Sequence, residues 1–598
     1  MSITYNSRCP VGQSRNKSAA ESCYAGLIAI NRSDDLNLCT GGNNTLTTLL
    51  YFIGGTALFA SSLFLLLKLY RRLQLSFAKH PTLQGHSKML RMSSKWVPRY
   101  NIKGEQFFGC DGAPIEISKI RRAAFFKLAE ELRVQHPHSS KLTKELENDI
   151  SDLDFTKRYR VPYQFADFVN KHLAINTFVD KSKHTQVRDV DGNWSDDLGG
   201  SYGVNVFGYD FYKDCMEEAQ RAAGNMGPVL GPYHPLIASN VSRLKKISGL
   251  DEVSFHMSGT EAVMQAVRLA RYHTNKRRLV QFCGAYHGWW DGVQPGLGNN
   301  RKVQDVYTLS EDSDATLRVL RQRDDIACVL VNPLQALHPN RNAPSDSTLL
   351  LARKGFSFDK ARYTKWLRRL REVCFDKGII LIFDEVFVGF RLAKGGAQEF
   401  FGVKADLVTY GKTLGGGYPV GVVCGRADLM RRYKQDQPTN ICFARGTFNS
   451  HPYVMASMDA FLNRLDCNEM DLTYQNLETQ WNSRAEYLNA RLIEENLPIR
   501  VVNMLSIWTI IFPRAGRYHW LLQYYLKSEG ITLGWVGTGK LLFSHNFSDE
   551  DFKRIAAKII RATRRMQEDN WFWAPSKGLG TLVAKEFTKA LWRPQSNQ

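Results

Sequence analysis

Two hydrophobic patterns divide the chain. The first is a single uncharged run near the front of the sequence, LTTLLYFIGGTALFASSLFLLL, from Leu46 to Leu67. The second begins near residue 185, where short apolar runs alternate with helical or loop segments. Such alternation is typical of a largely parallel sheet with helices on both faces. The pattern therefore predicts one membrane-spanning helix followed by an α/β body.

The run from Leu46 to Leu67 is long enough to cross the hydrocarbon core of a bilayer as a helix. A buried core helix is the alternative, but such helices seldom lack a polar face over this length. A cleaved signal peptide is disfavoured because the run begins far from the N-terminus. Basic residues follow the run, whereas Asp34 and Asp35 precede it. The positive-inside rule then predicts a single-pass protein with a cytoplasmic body.

The formal net charge is +21, and much of it lies in one segment. From Lys68 to Lys103 there are nine lysines and arginines and no acid. We expect this basic run to lie on anionic lipid headgroups. No nucleic-acid motif accompanies it, so no nucleic-acid partner is expected. The eleven cysteines show no zinc-site spacing, and no metal is expected.

Changes in pattern along the chain predict six segments. They are a polar tail (1–45), the membrane helix (46–67), a basic linker and helical region (68–160), a large domain (161–430), a smaller α+β C-terminal domain (431–570) and a tail (571–598). Within the large domain, the runs VSFHM, RRLVQFC, ACVLVNP, GIILIFDEV, ADLVTYGK and VGVVCG predict strands. Ligands of such sheets gather at the carboxyl ends of the strands. The candidate functional residues are therefore those just past these ends.

Two candidate groups follow the first two of these strands. Ser258, Gly259 and Thr260 form the turn between VSFHM and a predicted helix. The free N–H groups at a helix start favour a phosphate, although Ser and Thr are equally common as simple helix caps. Tyr286 and His287 follow LVQFC. The tyrosine ring could stack on a planar cofactor, and a merely packed Tyr-His pair is the alternative.

Three further candidates follow later runs. Asp384 ends the run LIFD, and a buried carboxylate is costly unless it meets a positive partner such as a pyridinium nitrogen. The alternative is a cap on the next loop. Lys412 lies in the glycine-lined turn GKTLGGGYP, where a dry pocket would lower its pKa and favour a Schiff base; a solvated lysine is the alternative. Thr447, in ARGTFNSHP, could bind a phosphate.

Taken together, these features meet the needs of pyridoxal phosphate, which requires a lysine, an acid at its ring nitrogen, a stacked aromatic ring and a phosphate cup. The run from about Val187 to Thr563 resembles a fold-type I, class III pyridoxal-phosphate-dependent aminotransferase, and within that family the glutamate-1-semialdehyde 2,1-aminomutase branch. The segments that carry the resemblance are DVDGNW, GPYHP, SGTEAVMQAVRLAR, AYHGWWDG, IFDEVFVGFR, GVKADLVTYGKTLGGGYPVGVVCG and GTFNSHP.

The resemblance implies a role for each candidate. Lys412 would be the Schiff-base lysine and Asp384 the partner of the pyridine nitrogen. Tyr286, with His287 beside it, is implied on one face of the ring, and Val386 on the other. Ser258, Gly259 and Thr260 are implied at the phosphate. In this family the threonine that matches Thr447 reaches the phosphate of the neighbouring subunit, which implies a homodimer.

One departure from the family pattern concerns the substrate side of the pocket. The family usually has Glu-Pro after the strand matching CVLVNP, whereas this chain has Asn332-Pro333. Three functions are compatible with the sequence. The first is a membrane-anchored aminotransferase acting on a small amine or carbonyl compound, hydrophobic or carrier-bound. The second is an aminomutase of the glutamate-semialdehyde type. The third is an inactive scaffold on the same fold.

Overall fold

The computed structural model describes residues 43–79, 86–173, 177–294, 297–299, 305–333, 359–534, 539–576 and 578–592. The predicted tail up to residue 42, with Asp34 and Asp35, lies outside these ranges. Contacts within the chain group residues 1–72 and Leu73–Gln598 as two compact units. The second unit contains every candidate functional residue.

Helices account for much of the described chain. The α-helices are α1 (Asn43–Ala78), α2 (Ser87–Ser94), α3 (Gln106–Gly109), α4 (Ile115–Gln135), α5 (Pro137–Leu146), α6 (Ser151–Tyr159), α7 (Tyr163–His172), α8 (Tyr209–Ala223), α9 (Ile237–Ser248), α10 (Gly259–Thr274), α11 (Asp314–Gln322), α12 (Lys360–Asp376), α13 (Gly396–Phe401), α14 (Ala427–Met430), α15 (Pro452–Leu465), α16 (Asn468–Glu494), α17 (Leu522–Ser528), α18 (Asp549–Glu568) and α19 (Leu579–Leu591). Short 3₁₀ turns occur at Gly200–Gly203, Lys412–Gly415 and His519–Leu521.

The strands form a large sheet and several small ones. They are β1 (Val179–Lys183), β2 (Gln186–Asp189), β3 (Trp194–Asp197), β4 (Glu252–His256), β5 (Arg278–Phe282), β6 (Val306–Leu309), β7 (Ile326–Val331), β8 (Ile380–Asp384), β9 (Leu407–Gly411), β10 (Gly421–Gly425), β11 (Tyr433–Lys434), β12 (Gln437–Ile441), β13 (Arg500–Met504), β14 (Ile507–Ile511), β15 (Ile531–Thr532) and β16 (Lys540–Leu542). The hairpin predicted around Asp191 is β2–β3.

The seven-stranded sheet has the order β4-β10-β9-β8-β7-β5-β6. Its neighbours from β9 to β6 pair in parallel, as the alternation of apolar runs predicts. Every residue of β7, β8 and β9 is buried, which explains why these strands are uniformly apolar rather than alternating. Helices cover both faces, and the predicted α/β architecture is confirmed.

Strand β10 runs antiparallel to both of its neighbours, β9 and β4. The connection from Lys412 to Val420 is too short for the crossover that a parallel pair needs, so the chain turns back as a hairpin. Because β4 and β9 both oppose β10, they point in the same direction as each other. The carboxyl ends of β4, β5, β8 and β9 therefore meet at one edge of the sheet.

The predicted helical region before residue 160 packs on the C-terminal part of the body through Arg121 of α4. This arginine is fully buried and forms two 2.9 Å hydrogen bonds with Asp111. Its guanidinium lies 4.7 Å from the ring centroid of Tyr518 and 5.5 Å from that of Trp571. A buried charge is stable here because it is both paired and stacked. The N-terminal helices are thus part of the same compact unit as the sheet.

Helix α1 contains the predicted membrane run and extends past it to Ala78. Among the described residues it is the one helix long and apolar enough to cross a membrane, from Leu49 onward. The segment from Lys68 to Ala78, which was expected to be linker, continues the helix. Its last residue is buried in the body, where the Ala78 carbonyl accepts a 2.8 Å hydrogen bond from Ser310 N.

Candidate active site

Asp384 is the last residue of β8, and its carboxylate is buried. His287 Nδ1 lies 2.7 Å from Asp384 Oδ2. The other oxygen, Asp384 Oδ1, accepts hydrogen bonds of 3.2 Å from the Thr409 hydroxyl and from the Val386 backbone N–H. The buried carboxylate of Asp384 therefore has the hydrogen-bond partners that were expected of it. These partners fix its orientation.

The acid next to it, Glu385, has a different environment. Its oxygens accept hydrogen bonds from the backbone N–H groups of Ala397, at 2.6 Å, and Gln398, at 3.1 Å, at the start of α13. Burial raises the pKa of Glu385 to about 8 despite these bonds. Of the two consecutive acids in IFDEV, only Asp384 therefore faces the candidate site, while Glu385 caps a helix.

Tyr286 and His287 lie on the loop after β5 and differ sharply in burial. His287 is buried, and its Nε2 has no partner among the described residues. Tyr286 is 59% exposed. Its partial burial and the nearby charge of Asp384 raise the pKa of its phenol. The pair therefore supplies one group that orients the acid and one open aromatic ring above it.

The turn after β4 leads directly into α10. The Ser258 hydroxyl accepts a 3.3 Å hydrogen bond from Glu261 N, and Glu261 Oε2 accepts one of 3.0 Å from Met257 N. The capping alternative is thus confirmed for the Ser258 side chain. The first N–H groups of the helix, at Gly259 and Thr260, have no intrahelical acceptor and favour an anion.

Glycines allow the elements of the site to approach one another closely. A Cβ on Gly259 would lie 2.6 Å from Val386 Cγ1, and one on Gly288 would lie 2.6 Å from Thr260 Oγ1. A Cβ on Gly411 would lie 3.3 Å from Val386 Cγ1. The turn after β4 and the end of β9 therefore lie close to Val386, and the loop after β5 lies close to the turn after β4.

Lys412 follows β9 directly and has the left-handed backbone conformation, with φ of 48°. Such a conformation costs free energy for a residue other than glycine and is found at functional sites. Its Nζ forms no hydrogen bond or ion pair with any described residue and lies 4.8 Å from the centroid of the Phe387 ring. Burial lowers the pKa of Lys412 to about 8; the charge of Asp384 opposes this shift and that of Arg391 adds to it.

The structure thus brings together eight of the nine predicted site residues. Thr447 is the exception: it is exposed, on the loop between β12 and α15, and it forms no side-chain hydrogen bond with the other eight among the described residues. The expected contact of Thr447 with the phosphate of a neighbouring subunit does not require a contact within its own chain. The predicted role of Thr447 stays a prediction.

A family model described as "Aminotransferase class-III" matches residues 168–563. The chain belongs to the class III aminotransferase family. The match begins somewhat before Val187, where the quoted motifs begin, and ends at Thr563 as expected. It includes the whole seven-stranded sheet and every candidate site residue.

Named relatives and solved structures agree with this placement. The glutamate-1-semialdehyde 2,1-aminomutase of Methanocaldococcus jannaschii is 32% identical over 372 residues, which cover 59% of this chain and 78% of that protein. A solved "Transaminase with PLP bound" is 25% identical with a TM-score of 0.56, covering 67% of this chain and 93% of that one. The β-phenylalanine aminotransferase from Variovorax paradoxus is 22% identical, with a TM-score of 0.59 and coverage of 76% and 100%. The last likeness shows the fold alone, which is fold type I.

The cofactor of this class III family member is pyridoxal phosphate. The residues present fit it. The Lys412 amine has no partner among the described residues, and buried atoms at the same edge, His287 Nε2 and Asn332 Oδ1, have none either. Helix α10 begins at Gly259, and its first backbone N–H groups have no intrahelical acceptor and can bind a phosphate. The site therefore offers an amine, an acid and an anion-binding turn to one ligand.

Sequence reasoning missed three contributors to this site. Thr409 lies within β9 and reads as a strand residue. Phe387 lies three residues past the acid and reads as part of an apolar loop, yet its ring lies under the Lys412 amine. Lys540 begins β16 and places its Nζ 5.0 Å from the same ring centroid. No motif surrounds Lys540, so its place in the site follows only from the fold.

Proposed function

We propose that this protein is a membrane-anchored aminotransferase that moves an amino group between an amine donor and a carbonyl compound. The observation that carries the proposal is the position of Lys412. An amine without a partner among the described residues, with a pKa lowered to about 8, lies at the same sheet edge as a buried, fully oriented carboxylate. An inactive scaffold would gain nothing from keeping either group in this costly state.

Each residue of the site has a proposed role toward the cofactor. Lys412 would hold it covalently through Nζ, Asp384 would keep the ring nitrogen protonated, and the start of α10 would bind the phosphate. Tyr286 would cover one face of the ring and Val386 the other. When bound, pyridoxal phosphate supplies an electron sink for the bonds at the amine-bearing carbon. His287 and Thr409 hold the acid in position for this contact.

Lys412 would also act as the general base toward the substrate carbon whenever its amine is free. Its pKa of about 8 means that Nζ exchanges between its neutral and protonated forms close to neutral pH. A base with such a pKa can take a proton from the substrate carbon and return it to a neighbouring position. The Phe387 ring lies beneath the amine, and its apolar surface would exclude water from this side of the pocket.

The proposed location is a membrane, with α1 as a single span and the body in the cytoplasm. Support comes from the exposed apolar side chains of α1 and from the basic residues that follow Leu67. An anchored enzyme is suited to a substrate that is hydrophobic or attached to a carrier. The large domain (161–430) and the small C-terminal domain (431–570) are proposed with the boundaries predicted from the sequence.

A homodimer is also proposed. Exposed aromatic and aliphatic side chains cluster in sequence around Thr447; these are Tyr433, Ile441, Phe443 and Phe448. A second copy of the chain would cover such a surface. In this arrangement Thr447 would bind the phosphate in the neighbouring subunit, which explains why it forms no side-chain hydrogen bond with the other described site residues of its own chain.

A second candidate function is a 2,1-aminomutase, and the likeness to the Methanocaldococcus jannaschii protein favours it. An aminomutase runs the same proton transfers on one molecule and needs no second acceptor. Asn332, in place of the family's glutamate, weakens this candidate because the substrate side of the pocket differs.

The deciding experiment has two stages on the full chain in detergent. The first records visible absorption, traps with borohydride and locates the modified peptide by mass spectrometry. An adduct on Lys412 supports the proposal, whereas protein that stays colourless and unmodified with added cofactor supports the scaffold. The second stage follows turnover with and without a 2-oxo acid. Turnover that requires the acceptor supports the aminotransferase, and turnover without it supports the aminomutase.

A further inference from the structure

Two lysines from distant parts of the chain face one aromatic ring. Lys412 Nζ lies 4.8 Å and Lys540 Nζ 5.0 Å from the centroid of Phe387. Lys412 follows β9 of the large sheet, whereas Lys540 begins β16 of the three-stranded sheet, where it pairs with Thr509 of β14. Both amines thus lie next to one ring, and each is close enough for the charge of Lys412 to act on Lys540.

Like Lys412, Lys540 forms no hydrogen bond or ion pair within the described part of the chain. Burial, together with the charges of Lys412 and Arg391, lowers the pKa of Lys540 to about 8. A partly buried ammonium without an anion is costly, and two of them over one ring repel each other. This arrangement destabilises the protein unless a ligand completes it.

Arg391 is the third cation nearby; both of its Nη atoms are bound within the body, whereas its buried Nε has no partner among the described residues. Its Nη1 donates to Ser506 Oγ at 3.0 Å and to the Phe543 carbonyl at 2.8 Å, and Nη2 donates to the Asn205 carbonyl at 3.1 Å. The nearby acids are committed too, since Asp384 is held by His287 and Thr409 and Glu385 caps α13. Besides Lys412, Lys540 is therefore the cation next to Phe387 whose charged group has no hydrogen-bond partner among the described residues.

We propose that Lys540 binds an anionic group of the substrate, so that the enzyme acts on an amine or carbonyl compound that also carries a carboxylate. The inference rests on the proposed function, because it takes the space over Phe387 as the substrate side of the site. Lys412 would face the amine-bearing carbon and Lys540 the anion. Lys540 is then a specificity residue that touches substrate and not the cofactor.

The kind of anion that Lys540 would bind follows from the chemistry of its ammonium group. An ammonium is a compact charge with three N–H donors, which suits a carboxylate or phosphate oxygen. The turn Gly200–Gly203 limits the space beside the ring, since a Cβ on Gly203 would lie 2.4 Å from Phe387 Cε2. A carboxylate is smaller than a phosphate and is the anion proposed here.

The test uses the full-length holoenzyme in detergent, with succinate as the anion probe and calorimetry as the readout. We expect Lys540→Met to weaken succinate binding at least 10-fold and Lys540→Arg to retain it within a few-fold. Lys527→Met is the matched control. Burial lowers the pKa of Lys527 to about 8 as well, but its Nζ donates to Thr177 Oγ1 at 2.9 Å, outside the site. Inorganic phosphate in place of succinate distinguishes the two anions, and tighter phosphate binding would overturn the carboxylate assignment.

A second readout is the pH titration of the cofactor's visible absorption. Succinate should raise the apparent pKa of this transition in the wild type and leave it unchanged in Lys540→Met, an effect that a purely structural lysine does not produce. Equal succinate affinity in the wild type and Lys540→Met, or no binding by the wild type, would overturn the inference. The Lys412 borohydride adduct would persist in that case, whereas its absence would instead overturn the proposed function.

Discussion

His287 Nδ1 lies 2.7 Å from Asp384 Oδ2, and both side chains are almost completely buried. The imidazole is therefore committed to orienting the acid that is proposed to face the cofactor nitrogen. A hydrogen bond to a charged group contributes about 1.5–3 kcal/mol. We expect His287→Leu to raise the dissociation constant of pyridoxal phosphate about 10- to 100-fold.

Equilibrium dialysis of the cofactor would measure this change. His519→Leu is the control, because His519 is also buried but stacks on Phe512 with a centroid distance of 4.0 Å, away from the site. That substitution should lower the melting temperature and leave the cofactor affinity intact. Equal affinity of His287→Leu and the wild type would contradict the proposed positioning role.

Lys412 should make the stability of the cofactor-free protein depend on pH. Burial lowers its pKa from 10.5 to about 8, so between these values the unfolded chain binds more protons than the folded one. Below pH 8 the lysine is protonated in both states and its burial destabilises the fold in full; this penalty is lost as the pH rises to 10.5. Lys412→Met should therefore stabilise the protein at pH 7, on the order of 1–3 kcal/mol, and by less at pH 10.5.

Thermal unfolding at the two pH values would measure the effect. Lys404→Met removes an exposed lysine of the same body and serves as the control. We expect its effect on the melting temperature to be small at both pH values. A stabilisation by Lys412→Met that does not change with pH would show that the folded pKa of Lys412 is not depressed.

Mixed subunits would test the proposed role of Thr447. Lys412→Ala and Thr447→Ala should each be nearly inactive alone. In a dimer with one subunit of each kind, one site carries both defects and the other carries neither. Random exchange of equal amounts should then restore about 25% of wild-type activity, because half of the dimers are mixed and each has one intact site of two. Recovery no greater than the sum of the separate variants would mean that Thr447 acts within its own chain or not at all.

Helix α1 should determine membrane association. Phe59 is 72% and Leu63 is 48% exposed, and an arginine in the middle of a membrane helix costs about 2.5–3.5 kcal/mol by insertion measurements. We expect the double variant Phe59→Arg, Leu63→Arg to shift from the carbonate-resistant membrane fraction to the soluble fraction. Phe375→Arg, at a 71% exposed position of α12, is the control and should stay in the membrane fraction. Equal fractionation of the two variants would exclude α1 as the anchor.

Much of the large sheet can be predicted from the sequence because its central strands are buried on both faces. The runs ending at Val331, Asp384 and Gly411 are apolar throughout, and their ends mark the site. Strand β6 was missed because it has only four residues with alternating burial, so no apolar run stands out. The direction of β10 was missed because direction depends on the length of the connection after Lys412, not on the strand's own residues.

Some residues of the candidate site could likewise be predicted from the sequence, and others could not. Residues that directly follow predicted strands, such as Asp384 and Lys412, could be found from local pattern. The His287–Asp384 bond could not, because it joins residues 97 positions apart. Lys540 was beyond reach for a similar reason, since only the packing of the three-stranded sheet against Phe387 places it beside Lys412.

The pairing of β4 sets the order in which this site can assemble during synthesis. Among the described strands of the large sheet, β4 pairs only with β10, and His256 lies opposite Gly421, about 165 residues later in the chain. The strand that leads into the turn proposed to bind the phosphate therefore has no described neighbour in the sheet until β10 has left the ribosome. The nascent chain gains its capacity to bind the cofactor late, and closure of this long loop is a slow, non-local step of folding.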